Sequence, residues 1–520
     1  LSGSSDWKPK ANPWLIALVV TLAAFMEILD TTIVNVALPH IAGALSSSND
    51  EATWTLTSYL VANGIVLPIS GFLGNRLGRK RYFLICIGAF GVCSFLCGIA
   101  NSLPQLIIFR LAQGFFGGGL QPNQQSIILD TFPPEKRGMA FSITAVATIV
   151  APVLGPTLGG WITDNYTWRW IFFINIPVSA LTFFAVSTLV EDPPWVANAP
   201  KRKIDTIGLG LIALGLGCLQ VVMDRGEDDD WFGSNFIVGM AIASAIGIIG
   251  AIAWLLTAKK PIVSLRVMGD RNFALGSFTT FMLFGIVYSS AVLIPQLAQE
   301  VLQYNSTLAG LVLSPGAALV CFTIPLVQRA MGFVPTKYIV AFGFLVMGLG
   351  MTYSMMLVPD IDYNTLAKIR AAQSFGIALL FVPISTLAYA TLPKELNGDA
   401  AALYTMFRNV SGSIGISAAT AMVTERTQIR TAHLVTHLDK FNPAYNQTIE
   451  RYQQTLLSMG HAAATTMDTA TGQVYKALRT QAQVLAYSDV FMFCAIGAFC
   501  VVPFAFLFSS VKAKGGGGGH

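Results

Sequence analysis

Charge is what this sequence is short of. Of its 520 residues only 11% are Asp, Glu, Lys or Arg, where a soluble domain carries roughly 25%. A chain this long would fold in water as several domains with charged surfaces, and too little charge is present to cover them. A water-soluble fold is excluded. Polar cysteine clusters are missing too. Cys86, Cys93, Cys97, Cys218, Cys321, Cys494 and Cys500 all lie in apolar runs, which leaves no disulfide framework and no zinc pattern. There is no Gly-rich phosphate loop followed by Lys-Ser/Thr, so an ATP-driven pump has no nucleotide site. His40, His433, His437, His461 and His520 form no intramembrane cluster, which leaves a membrane enzyme without a catalytic set. The net charge of +5 does not gather on one soluble face, so nucleic acid is not a partner. No metal site and no cofactor is expected.

Hydrophobic residues make up 54% of the chain, and the mean hydropathy is +0.61. Runs of about 20 apolar residues, the length that spans a bilayer, occur fourteen times. Among them are span 4 (104–129), span 5 (139–163), span 13 (400–423) and span 14 (484–508). No run resembles a cleavable signal, since the first is long and carries Glu27 and Asp30. Basic residues fix the orientation. Alternate loops and the tails hold Lys8, Lys10, Arg76, Arg79, Lys80, Arg81, Lys136, Arg137, Lys201, Arg202 and Lys203, among others, while the short loops opposite hold Arg169, Arg225 and Lys368. Both termini are therefore expected in the cytoplasm.

The expected fold is an all-α integral membrane protein of fourteen helices, two six-helix halves plus an inserted pair. A cytoplasmic tail (1–13) leads to the first bundle (14–190). A cytoplasmic linker (191–205), the inserted pair (206–258) and a second linker (259–271) follow. The second bundle (272–508) and a cytoplasmic tail (509–520) complete the chain. Within the second bundle, 424–483 forms an extracytoplasmic loop. There Tyr445, Ile449, Tyr452 and Leu456 are spaced as one face of a helix, either packed on its own protein or offered to a partner.

An internal repeat supports the two halves. Arg110-Leu111-Ala112-Gln113-Gly114-Phe115 recurs as Arg370-Ala371-Ala372-Gln373-Ser374-Phe375. At the same offset Thr131, Pro133, Glu135 and Gly138 map onto Thr391, Pro393, Glu395 and Gly398. Duplicated helical halves are the architecture of a secondary transporter, with the substrate site between them near mid-membrane. A channel is the main alternative, and the proline bends confined to one half argue against it.

Charges inside spans cost roughly 2.5–3.5 kcal/mol on insertion scales, so each is expected to face a partner or a cavity. Glu27 and Asp30 share a face of span 1. Asp30 lies about 13 Å from its outer end and Arg110 about 9 Å from that of span 4, at 1.5 Å per residue. The depths match, which makes the pair either a proton-coupling site or a static buried ion pair. Glu27 either attracts a cationic substrate or is a hydrogen-bonded structural carboxyl. Gln113, Gln121, Asn123, Gln124 and Gln125 on span 4 and Gln296 on span 9 could line a wet central cavity. In span 5, Ala147, Ala151, Gly155 and Gly159 form a smooth stripe, with Pro152 and Pro156 on the adjacent stripe permitting a bend. The stripe serves either a flexing contact between halves or ordinary close packing. Gly71, Gly74 and Gly78 punctuate a basic loop holding Arg76, Arg79, Lys80 and Arg81.

These segments resemble the major facilitator superfamily, and within it the fourteen-span drug:proton antiporters of the EmrB/QacA type. Gly71-Phe72-Leu73-Gly74-Asn75-Arg76-Leu77-Gly78-Arg79-Lys80-Arg81 is similar to the family's loop 2–3 signature. Arg110 to Gly114 is similar to its span-4 arginine motif, and Ala151-Pro152-Val153-Leu154-Gly155-Pro156-Thr157-Leu158-Gly159-Gly160 to its span-5 antiporter motif. Leu29 to Pro39 is similar to the span-1 motif of the fourteen-span branch. Asn75 departs from the pattern, standing where the family has an acidic residue, so an ionic latch there loses its charge. The resemblance implies a multidrug exporter of the inner membrane that exchanges protons for hydrophobic compounds, cationic ones among them. A specific metabolite, siderophore or lipid is the alternative cargo. It further implies that Arg408, like Arg370 a structural charge, holds the cytoplasmic end together. In such exporters the long outer loop suits a periplasmic adaptor protein and an outer-membrane channel.

Overall fold

The computed structural model describes residues 7, 9–197, 204–259, 261–439, 441–459 and 463–509. Most of the two tails and the centre of the first linker, with Lys8, Lys201, Arg202, Lys203 and Lys260, lie outside them. The described residues form helices and no strand. In chain order these are α1 (Pro13–Ala44), α2 (Asn49–Leu77), α3 (Arg79–Gly98), α4 (Leu103–Gly117), α5 (Leu120–Thr131), α6 (Pro134–Asn165), α7 (Trp170–Phe173) and α8 (Asn175–Leu189). Then come α9 (Pro194–Ala197), α10 (Thr206–Arg225), α11 (Asn235–Thr257), α12 (Arg271–Glu300), α13 (Ser306–Leu311), α14 (Ser314–Ala330) and α15 (Thr336–Tyr353). The last are α16 (Tyr363–Ala388), α17 (Asn397–Val435), α18 (Pro443–Ser458) and α19 (Ala463–Ala505). Their starts follow local chemistry. Asn12 and Asp270 accept backbone N–H groups of the first turns of α1 and α12, and Ser48 with Glu51 forms a reciprocal capping box on α2.

Twelve helices among the described residues are long and apolar enough to cross a membrane. Two expected spans fall short of that measure for different reasons. Span 4 is divided between α4 and α5 at Gly118 and Gly119, and α17 carries many polar residues. Large side chains such as Ile242, Ile246, Ile249 and Leu256 of α11 are exposed, as a lipid-facing surface requires.

Two apolar cores organise the bundle, and each borrows from the other half. The core of α12–α19 includes Phe344, Met347 and Phe491, and takes in Ala145 and Val153 from α6. The core of α1–α6 includes Phe83, Phe90 and Phe141, and takes in Ala400, Ala401 and Tyr404 from α17. The inserted pair packs tightly, with the backbones of Gly215 and Gly247 in contact. It lies beside α2 through Gly217 on Ile65 and Val61. It also reaches α17, where Gln220 donates to Ser413 Oγ (3.0 Å).

The segment 424–483 is helical for most of its length. α17 runs on to Val435, α19 begins at Ala463, and α18 folds back between them. Ile449 and Leu456 of α18 are buried against Ala470 and Val474 of α19, with Tyr445 and Tyr452 packed on the same cluster. The apolar face found by spacing is therefore covered by the protein's own helix. Arg430 pairs with Asp489 (2.6 Å) at the base of this hairpin.

Candidate functional site

At the centre of the first half Asp30 and Arg110 meet, as their depths predicted. Arg110 Nη1 donates to Asp30 Oδ2 (2.6 Å), and both side chains are fully buried. Gln113 Nε2 (3.0 Å) and Asn175 Nδ2 (2.6 Å) donate to Asp30 Oδ1. Arg110 Nε donates to the Thr55 carbonyl (3.2 Å) and its guanidinium carbon lies 4.2 Å from the centre of the Tyr59 ring. Asn175 also donates to Ser94 Oγ (3.1 Å). Helices α1, α2, α3, α4 and α8 thus converge on one carboxylate. Charge-assisted bonds from several directions hold it in place, and Arg110 Nη2 has no hydrogen-bond partner among the described residues.

Glu27 is held differently. Asn63 Nδ2 donates to its Oε1 (2.9 Å), Gln121 donates to its Oε2, and the Tyr59 hydroxyl stands 3.4 Å away. It is 3% exposed, and no described cation pairs with it. Arg408 belongs to the other half, on α17. Arg408 is itself buried 5.5 Å from the Phe284 ring centre and makes no hydrogen bond or ion pair among the described residues. Arg370 donates to Ser290 Oγ (2.9 Å) and Gln373 Oε1 (3.1 Å).

The remaining polar candidates separate. Gln113 belongs to the Asp30 cluster. Asn123 donates to the Arg79 carbonyl (3.0 Å) at the basic face, away from the centre. Gln124 joins Thr21 and Thr144. Gln296 donates to Glu300 (3.1 Å) near the far end of α12, also away from the centre.

The span-5 stripe does not bridge the halves. A side chain at Gly155 would overlap Thr32 of α1, one at Gly159 would stand 2.9 Å from Ile33, and Ala151 packs on Ile28 and Leu29. The stripe is ordinary close packing of α6 on α1 within the first half. The proline side of α6 makes the contact between halves. Pro156 and Thr157 face Gly310 of α13, and Pro152 lines a cleft with Phe284, Tyr288, Arg370 and Ser374. Gly160 is buried. In the second half Gly415 meets the Gly285 backbone, so α17 packs on α12 as α6 packs on α1.

At the basic face the halves touch at Gly71, where a Cβ would lie 2.5 Å from the Gly398 carbonyl oxygen. Asn75 stands beside Gly398. The acids of this region come from elsewhere. Asp130 pairs with Arg79 and accepts from Asn397 Nδ2 (3.0 Å), while Asp192 accepts from the Lys80 backbone N–H (2.9 Å). Gly78 has φ +88°, and a Cβ there would lie 2.6 Å from Asp192 Oδ2, so only glycine fits. Arg76 lies 6.0 Å from the Phe72 ring centre. Asp130, Asp192 and Asn175 escaped the sequence reading. The first two are acids at span ends, and Asn175 is a neutral side chain in an apolar run.

Comparisons with known proteins agree with this architecture. The model of the Major Facilitator Superfamily matches residues 20–416. The chain is 36% identical to the multidrug export protein EmrB of Haemophilus influenzae, covering 93% of each chain. It is 35% identical to EmrB of Escherichia coli K12, covering 97% of each. Among solved structures, the proton:xylose symporter XylE with bound 6-bromo-6-deoxy-D-glucose superimposes with a TM-score of 0.58. That match has 15% identity and covers 93% of this chain and 94% of the other, a likeness of fold alone. With twelve helices among the described residues long and apolar enough to cross a membrane, and with this match over most of its length, the chain is a multi-pass membrane protein that belongs to the Major Facilitator Superfamily.

Proposed function

We propose that the protein is a proton-coupled multidrug exporter of the inner membrane, with both termini cytoplasmic and fourteen spans counting α4–α5 and α17. The proton gradient drives it and no cofactor takes part. The observation that carries this reading is the pair of buried carboxyls on α1, one neutralised by Arg110 and the other held only by neutral donors. Two similar proteins named as multidrug export proteins support the direction and the cargo.

Asp30 carries the proton. Three donors, one of them cationic, converge on its carboxylate. Loading a proton cancels the attraction to Arg110. The freed guanidinium must then find other acceptors, which couples the charge on α1 to the packing of α4. Glu27, without a paired cation, supplies the negative charge that a cationic amphipathic substrate would meet between the halves. Alternating access is a rocking of the halves about the contacts at Gly71–Gly398 and Pro156–Gly310. The α17–α18–α19 hairpin projects on the side away from the termini and is the surface an adaptor and outer-membrane channel would use.

The test is transport by purified protein in liposomes with an imposed pH gradient, against lipophilic cations and neutral drugs. Uphill cation movement that stops when the gradient is collapsed supports the reading, and movement indifferent to the gradient overturns it.

A further inference from the structure

The repeat offset of 260 residues allows the lipid-facing surfaces of the two halves to be compared position by position. In α4, Ile108, Leu111, Ala112 and Phe115 are spaced i, i+3, i+4 and i+7 and share one apolar face. Ile108, Leu111 and Phe115 are exposed. Their counterparts in α16 are Lys368, Ala371, Ala372 and Phe375. The second half thus has a cation in place of Ile108 and a methyl group in place of the larger Leu111. On the neighbouring helix α15, Tyr353 takes the place of Cys93.

The missing bulk leaves space. Ala371 and Phe375 of α16, Leu349, Gly350 and Tyr353 of α15 and Leu319 of α14 line a groove of about 450 Å³, within the size range of small-molecule sites. Gly350 brings the helices together beneath it, since a Cβ there would lie 2.7 Å from the Ala372 carbonyl oxygen. Phe342 and Leu345, about a turn further along α15, are exposed, so the groove opens on the lipid face.

Its polar groups gather at one end. α15 ends at Tyr353 and α16 begins at Tyr363, which places Tyr353 and Lys368 toward the membrane face that carries the α17–α19 hairpin. Lys368 is exposed about 8 Å into α16, at 1.5 Å per residue. Helical side chains lean toward the N-terminus of their helix, here toward the lipid headgroups, where a lysine carries its charge. It makes no hydrogen bond or ion pair among the described residues. Asp362 of the preceding turn is engaged as the cap of α16. The other cations of the short loops on this face are also engaged. Arg169 donates to the Ala100 carbonyl (2.9 Å), and Arg225 pairs with Asp229 (3.1 Å). A bilayer fills an apolar groove of this kind with an acyl chain, and a free cation at its headgroup end favours an anionic lipid.

We propose that the groove between α14, α15 and α16 is a binding site for an anionic phospholipid of the leaflet on the hairpin side. One acyl chain lies along Ala371 and Gly350, and the phosphate rests on Lys368 and the Tyr353 hydroxyl. Ala317 of α14 and Arg370 and Ser374 of α16 line the cleft between the halves, so the lipid is a wedge behind one wall of that cleft. The site goes beyond the exporter reading and does not depend on it.

The test is fluorescence quenching in phosphatidylcholine nanodiscs. A bimane label on Phe342→Cys, in an otherwise cysteine-free protein, reports the inner end of the groove. One on Phe115→Cys reports the matching face of the first half. The quenchers are phosphatidylglycerol and phosphatidylethanolamine with the same mid-chain nitroxide, varied in mole fraction. At 342, half-maximal quenching is expected at an about fivefold lower fraction of phosphatidylglycerol, the size of one lysine's attraction to anionic lipid. At 115 the two lipids should quench alike. Lys368→Gln should bring the ratio at 342 to near unity. Ala371→Leu, which restores the first half's residue, should do the same with the lysine in place. Lys476→Gln, exposed on the hairpin, should leave the ratio unchanged. The proposal is overturned if there is no preference at 342, if an equal preference appears at 115, or if the preference survives either groove variant. It is overturned equally if Lys476→Gln abolishes the preference. No transport is measured, so either result leaves the exporter reading to its own test.

Discussion

Replacing Gly71 by valine should open the basic face. A Cβ at Gly71 would lie 2.5 Å from the Gly398 oxygen, 2.8 Å from its carbon and 3.0 Å from the Asp399 nitrogen. All three are backbone atoms, so no rotamer change relieves the clash. The nearest approach is about 1 Å short of the roughly 3.5 Å at which heavy atoms rest in contact. Overpacking of this kind costs about 1–3 kcal/mol. Parting α2 from α17 also strains Asn397 to Asp130 (3.0 Å) and Thr405 to Gln125 (3.3 Å), at about 1 kcal/mol for each net bond lost. A bias of about 1–3 kcal/mol against the closed face corresponds to a roughly 5–150-fold shift in population. The readout is the rate at which a water-soluble maleimide alkylates a cysteine placed at buried Ala401 in an otherwise cysteine-free protein. Gly71→Val should raise that rate at least about fivefold. An unchanged rate in a folded variant would show that this contact does not close the face.

Other expectations concern packing and the central pair. Gly155→Leu should lower the thermal midpoint of the first half by overfilling the α1–α6 contact, at about 1–3 kcal/mol. A side chain there that leaves the midpoint unchanged would refute the close approach to Thr32. Asp30→Asn and Arg110→Gln should each destabilise by about 3–5 kcal/mol, because each strands a buried partner. The double variant should cost clearly less than their sum in a chemical-denaturation cycle, and strict additivity would count against the ion pair. Gly78→Ala should destabilise by about 1–2 kcal/mol, the cost of left-handed backbone, and Asp192→Ala should not fully rescue it. Ile449→Asp should abolish hydrogen-exchange protection across 443–458 while transport persists, because Ile449 anchors α18 to α19.

What the sequence disclosed depended on which physical signal each feature leaves. Asp30 and Arg110 were legible because a charge in an apolar run is costly and two equal depths leave few ways to satisfy it. The helices themselves were legible from hydropathy, but hydropathy stops at the bilayer edge. The polar continuations of α17 to Val435 and of α19 back to Ala463 therefore read as a loop. A stripe such as Ala151-Gly155-Gly159 reports that a backbone comes close without saying whose, and the partner proved to be α1. Asp130 and Asp192 sit where acids near a membrane face are common, so nothing marked them as partners of the loop after α2. Ser290 and Ser354 were within reach of the offset that links Arg110 to Arg370. They carry no charge, and only the bonds of their hydroxyls to Arg370 and Gln373 mark them.

The central claim is that Asp30 exchanges a proton for substrate, and proton release tests it most directly. Purified protein in weakly buffered detergent solution, held near neutral pH with a pH-sensitive dye, is titrated with tetraphenylphosphonium. Wild type should release protons in proportion to bound cation, Glu27→Gln should weaken cation binding, and Asp30→Asn should bind cation without releasing protons. Asp30→Asn releasing as many protons per bound cation as wild type would contradict the claim.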